Sequence, residues 1–148
     1  MKIDDIDHLI LQQLQVDARV SMRELAKKVN LSAPSVTERV KRLESAGIIE
    51  EYTIKLNKKK LGLPVACIVE LTIKNGQYPR FQQFIAEYPY AEFCYRIAGQ
   101  ACYVLKLQLP DLSMLESFIN DVMPLATTVS HVVLSEVKIK NILPSEQR

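Results

Sequence analysis

The sequence predicts an α+β protein: three helices, then a sheet that carries two more. Three observations predict it. Apolar residues recur at helical spacing as far as residue 46 and alternate from residue 52. Helix-capping and helix-ending residues stand at matching intervals in the first third. From residue 65 the patterns run β-α-β-β-α-β, the order of a ferredoxin-like domain with both helices on one face of an antiparallel sheet.

The first helix is capped by Asp4 or Asp5 and turns Ile6, Leu9, Ile10, Leu11 and Leu14 inward, ending at Asp17-Ala18-Arg19. Ser21 caps a second, short helix, with Glu24 three residues on to complete a capping box. Leu25, Ala26 and Val29 face in, and Asn30 suits a left-handed stop. Ser32 caps a third helix with Pro34 in its first turn, where a missing N–H does no harm. Val36, Val40 and Leu43 form its buried stripe, and Gly47 ends it. Tyr52, Ile54 and Leu56 alternate with polar residues as a half-buried strand. Lys58-Lys59-Lys60 and the turn Gly62-Leu63-Pro64 then mark a boundary. The expected division is a helix-turn-helix domain at 1–50, a strand linker at 51–64 and a ferredoxin-like domain at 65–148.

In the second half, Val65–Lys74 reads as a strand and Tyr78–Glu87 as a helix with Phe81, Phe84 and Ile85 inward. Ala91–Ala98 and Tyr103–Leu109 are strands joined by a turn at Gly99–Ala101. Leu112–Met123 is a helix facing in with Leu115, Phe118, Ile119 and Val122, and Val129–Ile139 is the last strand. Two helices cover only one face of such a sheet. The first strand is apolar on one side at Val65, Cys67, Val69, Leu71 and Ile73, and on the other at Ala66 and Ile68. The open face therefore calls for a partner, and a dimer packed sheet to sheet is expected.

Composition narrows the class. With 48% apolar and 24% charged residues the chain is an ordinary folded protein rather than a disordered or fibrous one. No apolar run reaches the roughly 18 residues of a membrane span, so no membrane partner is expected. The start, MKIDDID, lacks the features of a secretory signal. Three cysteines without a C-x-x-C pair argue against a disulfide framework or a structural zinc site. A reducing cytoplasmic setting, on the nucleoid if DNA is the partner, fits best. No metal site, cofactor loop or catalytic constellation stands out; the two histidines, His8 and His131, are isolated.

Charge is placed unevenly. Residues 1–60 hold 12 Lys/Arg against 9 Asp/Glu, and residues 19–42 hold seven basic side chains against Glu24 and Glu38 alone. Two short helices around a tight turn, packed on a third and locally basic, form a helix-turn-helix able to enter a DNA major groove. On the third helix Ser35, Glu38, Arg39 and Arg42 make one polar flank, with Thr37 and Lys41 on the other. Arg39 and Arg42 are the expected guanine readers. Ser32 and Ser35, at the helix N-terminus, suit phosphate oxygens. Arg19, Arg23, Lys27 and Lys28 suit flanking phosphates.

The stretch SMRELAKKVNLSAPSVTERVKRLESAGIIEEYT resembles the DNA-binding half of the Lrp/AsnC (feast/famine) transcription regulators. The start, IDDIDHLILQQLQVDAR, resembles their first helix, and VELTIKNG, CYRIAGQACYVLKL and VVLSEVKIK resemble their ligand-sensing domain. The details are most similar to the LrpC-like branch. The resemblance implies homodimers through the sheets, often assembled into octamers, that bend or wrap double-stranded DNA. It also implies a free amino acid as effector, held near a Gly-x-x-Asp-Tyr turn. The matching positions are Gly99, Gln100, Ala101, Cys102 and Tyr103, with Thr128 and Ser130 at the last strand. Cys102 stands where the family usually has Asp, so the natural partner of a ligand ammonium is missing. A plain hairpin turn, with glycine supplying an awkward backbone angle, is the competing account of Gly99–Tyr103.

Two other functions fit this fold. Some tetrapyrrole (siroheme-type) decarboxylases resemble it, and here they would rely on His131 and Arg96. A ligand-independent architectural protein would bend DNA with modest sequence preference. The basic third helix favours the regulator.

Overall fold

The computed structural model describes residues 2–139 and Leu143. These group into two compact units: the residues up to Lys55 together with those from Lys138 onward, and Leu56–Val137.

The first unit is trihelical: α1 (Asp5–Val16), α2 (Met22–Val29) and α3 (Ala33–Ser45). Local chemistry sets every boundary. Asp4 caps α1, its carboxylate accepting from the Asp7 N–H at 2.8 Å while the Asp7 carboxylate accepts from the Asp4 N–H at 3.2 Å. Ser21 and Glu24 make the same reciprocal pair at the start of α2. Asn30 ends α2 at φ 55°, and Gly47 follows α3 at φ 68°. Ile10, Leu11, Leu14, Val20, Leu25, Ala26, Val29, Val36, Val40 and Leu43 form the core. Each Val, Leu or Ile side chain among them, fully buried, stabilises the unit by about 1.5–3 kcal/mol. Leu9, expected inward, is 45% exposed, and the inward place in the first turn belongs to the fully buried Asp7.

The second unit holds β1 (Val65–Ile73), α4 (Tyr78–Ala86), β2 (Ala91–Arg96), β3 (Tyr103–Leu109), α5 (Leu112–Val122) and β4 (Ala126–Val132). Among the described residues these strands form one antiparallel sheet in the order β2-β3-β1-β4, the expected ferredoxin-like arrangement. Cys67, Val69, Leu71 and Ile73 of β1 and Tyr103, Leu105, Leu107 and Leu109 of β3 share a core with Phe81 of α4 and Leu115, Phe118 and Val122 of α5. The opposite parity is left open. Register aligns Phe93, Lys106, Ile68 and His131 in one row and Tyr95, Val104, Glu70 and Val129 in the next. This face is apolar in part, with Tyr95 61% and Val129 56% exposed. Its charges are matched: Lys106 Nζ lies 3.0 Å from Glu92 Oε2, and His131 Nε2 lies 3.7 Å from Glu70 Oε2.

Two expectations are corrected. The segment Tyr52–Leu56 has strand alternation but pairs with nothing among the described residues, and Tyr52, Ile54 and Leu56 are exposed. A strand requires an edge to bond to, and none is offered there. The last strand stops at Val132 rather than Ile139. It is paired to β1, whose first residues, Val65 and Ala66, lie at that end, so Leu134 and Val137 run on exposed. At the C-terminal end, Lys138, Ile139 and Leu143 group with the first unit. Leu143 packs on the trihelical core, its carbonyl accepting from Gln12 Nε2 and its N–H donating to Gln15 Oε1, both at 3.1 Å. The rest of that tail, 140–142 and 144–148, lies outside the described residues.

Candidate nucleic-acid interface and ligand turn

Helix α2, the turn through Asn30-Leu31-Ser32 and helix α3 pack with α1 as a helix-turn-helix. Val36, Val40 and Leu43 are buried against α1 and α2, so the side of α3 opposite them is presented outward. Ser32 caps the helix by accepting from the Ser35 N–H at 3.3 Å, and the two hydroxyls lie 2.8 Å apart. The Thr37 hydroxyl donates to the Ala33 carbonyl at 2.8 Å. Ala33, Pro34, Thr37, Glu38 and Lys41 line one open depression. Arg23, in the first turn of α2, is exposed, as are Arg19, Lys27 and Lys28.

Arg39 and Arg42 are turned to α1. Arg39 Nη1 donates to Asp4 Oδ2 at 2.7 Å and to Asp7 Oδ1 at 2.8 Å. Arg42 Nη2 donates to Asp7 Oδ2 at 2.9 Å and Oδ1 at 3.1 Å. The cause is Asp7. Its side chain is fully buried, and a carboxylate taken out of water needs a cation beside it. The Arg39 guanidinium in turn holds the Asp4 carboxyl below the usual carboxylate range, helped by the Asp7 N–H. The pattern of α3 by itself puts both arginines outward and gives Asp7 no role. The signal was present: Asp7 falls on the same face as Ile10 and Leu14, and acids at i, i+3 on one helix match arginines at i, i+3 on another.

The residues expected to form a ligand turn fall into two groups in this chain. Residues 99–102 connect β2 to β3, closed by the Ile97 N–H donating to the Cys102 carbonyl at 2.9 Å. Gly99 is not at positive φ, and a Cβ there would meet nothing within 4 Å, so the turn does not itself require glycine. Cys102 Sγ accepts from the Tyr78 hydroxyl at 3.2 Å and from the Ile73 N–H at 3.4 Å. The Arg96 guanidinium sits 5.1 Å from the centre of the Tyr78 ring. The Tyr78 hydrogen bond, the Ile73 N–H and the Arg96 charge hold the Cys102 thiol below its ordinary value. Tyr103 is buried, its hydroxyl accepting from Gln82 Nε2 at 2.8 Å. Thr128 and Ser130 lie on β4, facing Leu71 and Val69 across the β1 pairing. The Cys102 N–H bonds the Leu71 carbonyl from the other side, so β1 separates the two groups by about 10 Å. The Ser130 hydroxyl is buried with no hydrogen-bond partner among the described residues.

A helix-turn-helix whose outer face is open, joined in sequence to a ferredoxin-like domain, defines a DNA-binding regulator with a sensing or assembly module. The comparisons agree. A family model described as winged helix-turn-helix DNA-binding matches residues 3–50, and one described as Lrp/AsnC ligand binding domain matches residues 66–143. The chain belongs to the Lrp/AsnC family and is a DNA-binding transcriptional regulator. It is 56% identical to the HTH-type transcriptional regulator LrpC of Bacillus subtilis over 95% of this chain and 98% of that one. The solved B. subtilis LrpC structure superposes with a TM-score of 0.92 over 95% of this chain and 100% of that one. The leucine-responsive regulatory protein of Escherichia coli K12 is 35% identical over 99% of this chain and 93% of its own. A Neisseria meningitidis transcriptional regulator solved as an L-Met complex is 27% identical, with a TM-score of 0.90 and 98% coverage of both chains.

Proposed function

We propose that this regulator reads the major groove of double-stranded DNA with the outward side of α3, using Ser35, Thr37 and Glu38. Lys41, Ser32 and Arg23 hold phosphates. The observation that carries this reading is the α1–α3 ion cluster. By fastening Arg39 and Arg42 to Asp4 and Asp7 it fixes the roll of α3 and leaves Thr37, Glu38 and Lys41 around an open depression. Arg39 braces the helix. Arg42, with half its side chain exposed, is positioned to share a phosphate. Titration of duplex DNA at several salt concentrations tests this: affinity falls steeply as salt rises if the contacts are ionic, whereas binding that ignores salt contradicts it.

The open sheet face supports a homodimer, with octamers and DNA bending or wrapping as the family implies. The site of action is then the cytoplasm, on the nucleoid. Footprinting separates a local operator binder, which protects one short site, from an architectural protein, which gives phased cleavage over a long stretch. An amino acid is the effector class suggested by the Neisseria relative's L-Met complex. Here Gly99, Gln100, Ala101 and Tyr103 keep the turn, while Cys102 offers a thiol already receiving two hydrogen bonds in place of a carboxylate. Weak or absent response to common amino acids follows. Calorimetry against the twenty amino acids tests it, and micromolar binding of leucine or asparagine contradicts it. No observation favours the decarboxylase: Arg96 on β2 and His131 on β4 lie on opposite edge strands, about 14 Å apart across the sheet.

A further inference from the structure

We infer that Glu38 sets the base selectivity of this regulator by accepting a hydrogen bond from the exocyclic amino group of a cytosine in the major groove. The inference rests on the proposed reading of DNA by α3 and adds the residue that discriminates.

Place comes first. At 100° per residue, Glu38 lies almost diametrically opposite the buried stripe of Val36, Val40 and Leu43, and it is exposed beside Pro34, Thr37 and Lys41. A helix seated in the groove puts that side nearest the base edges.

Its electrostatic state is the second observation. Of the two acids in the basic stretch 19–42, Glu24 completes the capping box of α2. Glu38 has no such use. Arg42, four residues on, is its natural ion-pair partner along the helix. Yet Arg42 is bonded to Asp7, Arg39 is bonded to Asp4 and Asp7, and among the described residues Glu38 makes no ion pair. The helix thus ties its arginines to the acids of α1 and leaves the Glu38 carboxylate outward, on a surface meant for a polyanion. A bare carboxylate there weakens binding to every DNA sequence by repelling phosphate.

The chemistry of the groove supplies the compensation. A carboxylate only accepts hydrogen bonds. Phosphates offer no donor, and guanine presents two acceptors, N7 and O6, to the groove. Cytosine presents N4–H2. Adenine also presents an amino group, but its N7 acceptor stands beside it and repels a second carboxylate oxygen. An amide, with one donor and one acceptor, is the complement of adenine. Glu38 therefore selects cytosine, and Gln at the same position would select adenine.

Selection of binding sites from a random duplex pool tests this with the wild type, Glu38→Gln and Glu38→Ala. Glu38 is exposed, so unchanged thermal melting is expected for both variants and confirms their folding. The wild type should fix a cytosine at one position of each half-site. Glu38→Gln should move that position to adenine, Glu38→Ala should leave it unselected, and the other positions should be retained. Discrimination at that position should fall on the order of tenfold or more in Glu38→Ala, while affinity for random-sequence DNA rises in both variants. The inference is overturned if all three proteins select the same base at every position, or if the wild type binds without fixing a cytosine. A wild type that retains no duplex at all overturns the DNA-reading role of α3 and this inference with it.

Discussion

Asp7 ties α1 to α3 in the first unit. Its carboxylate sits at an inward position of α1, answers the Asp4 N–H, and receives both arginines of α3. Removing one member of a buried ion cluster leaves the others short of their counter-charge, at a cost of about 3–5 kcal/mol. Asp7→Ala should therefore lower the stability of the trihelical unit by about 3 kcal/mol in urea unfolding, near the bottom of that range because Arg42 is half exposed. A loss no larger than that of a surface substitution would contradict the brace. Asp4 gives the cluster its pH dependence. Its folded carboxyl titrates below its unfolded value, so its contribution is complete above the ordinary carboxylate range and is lost as pH falls through the lowered value. In the second unit, Cys102 is distinguished from the other two thiols. Burial pushes Cys67 and Cys94 up, whereas hydrogen bonds from Tyr78 and Ile73 hold Cys102 down. A disulfide reagent at neutral pH should accordingly modify one thiol fast and two slowly, and Cys102→Ser should abolish the fast phase.

Among the elements, those built from neighbouring residues were legible in the sequence. The Ser21–Glu24 box, the Ser32 cap, the stops at Asn30 and Gly47 and the stripe Val36-Val40-Leu43 all depend on contacts within one helical turn or two. Ser32→Ala should cost about 1 kcal/mol of stability through loss of its bond to the Ser35 N–H, measured as a lowered melting midpoint of the first unit. An unchanged midpoint would mean that water replaces the hydroxyl at no cost. What was not legible depends on distant partners. The end of β4 is set by where β1 begins: Val132 pairs with Cys67, far upstream in the chain. Alternation at Tyr52–Leu56 encodes the ability to form a strand without supplying an edge. The inward turn of Arg39 and Arg42 follows from Asp7, 32 and 35 residues away, which a scan of α3 by itself does not reveal. The paired i, i+3 spacings were visible as a pattern, but only burial of Asp7 gives that pattern a cause.

At the scale of the whole molecule, the proposed assembly follows from the uncovered sheet face. Val129 stands 56% exposed at its centre row, beside Glu70, Val104 and Tyr95. Val129→Lys places a charge on that face without touching the helix-covered core. In sedimentation it should dissociate the assembly to protomers with intact circular dichroism, and a variant that sediments as the wild type would place the interface elsewhere. In the proposed mode of DNA binding, α3 meets the duplex with the side opposite its core, held in place by the arginines tied to α1. The most direct measurement is the salt dependence of duplex binding by Lys41→Ala beside the wild type. Lys41 is exposed on that side and makes no ion pair among the described residues, so folding should be untouched. Lys41→Ala should bind more weakly across all sequences, with a log–log salt slope flatter by about one for each helix engaged. Equal affinity and an equal slope for the two proteins would contradict it.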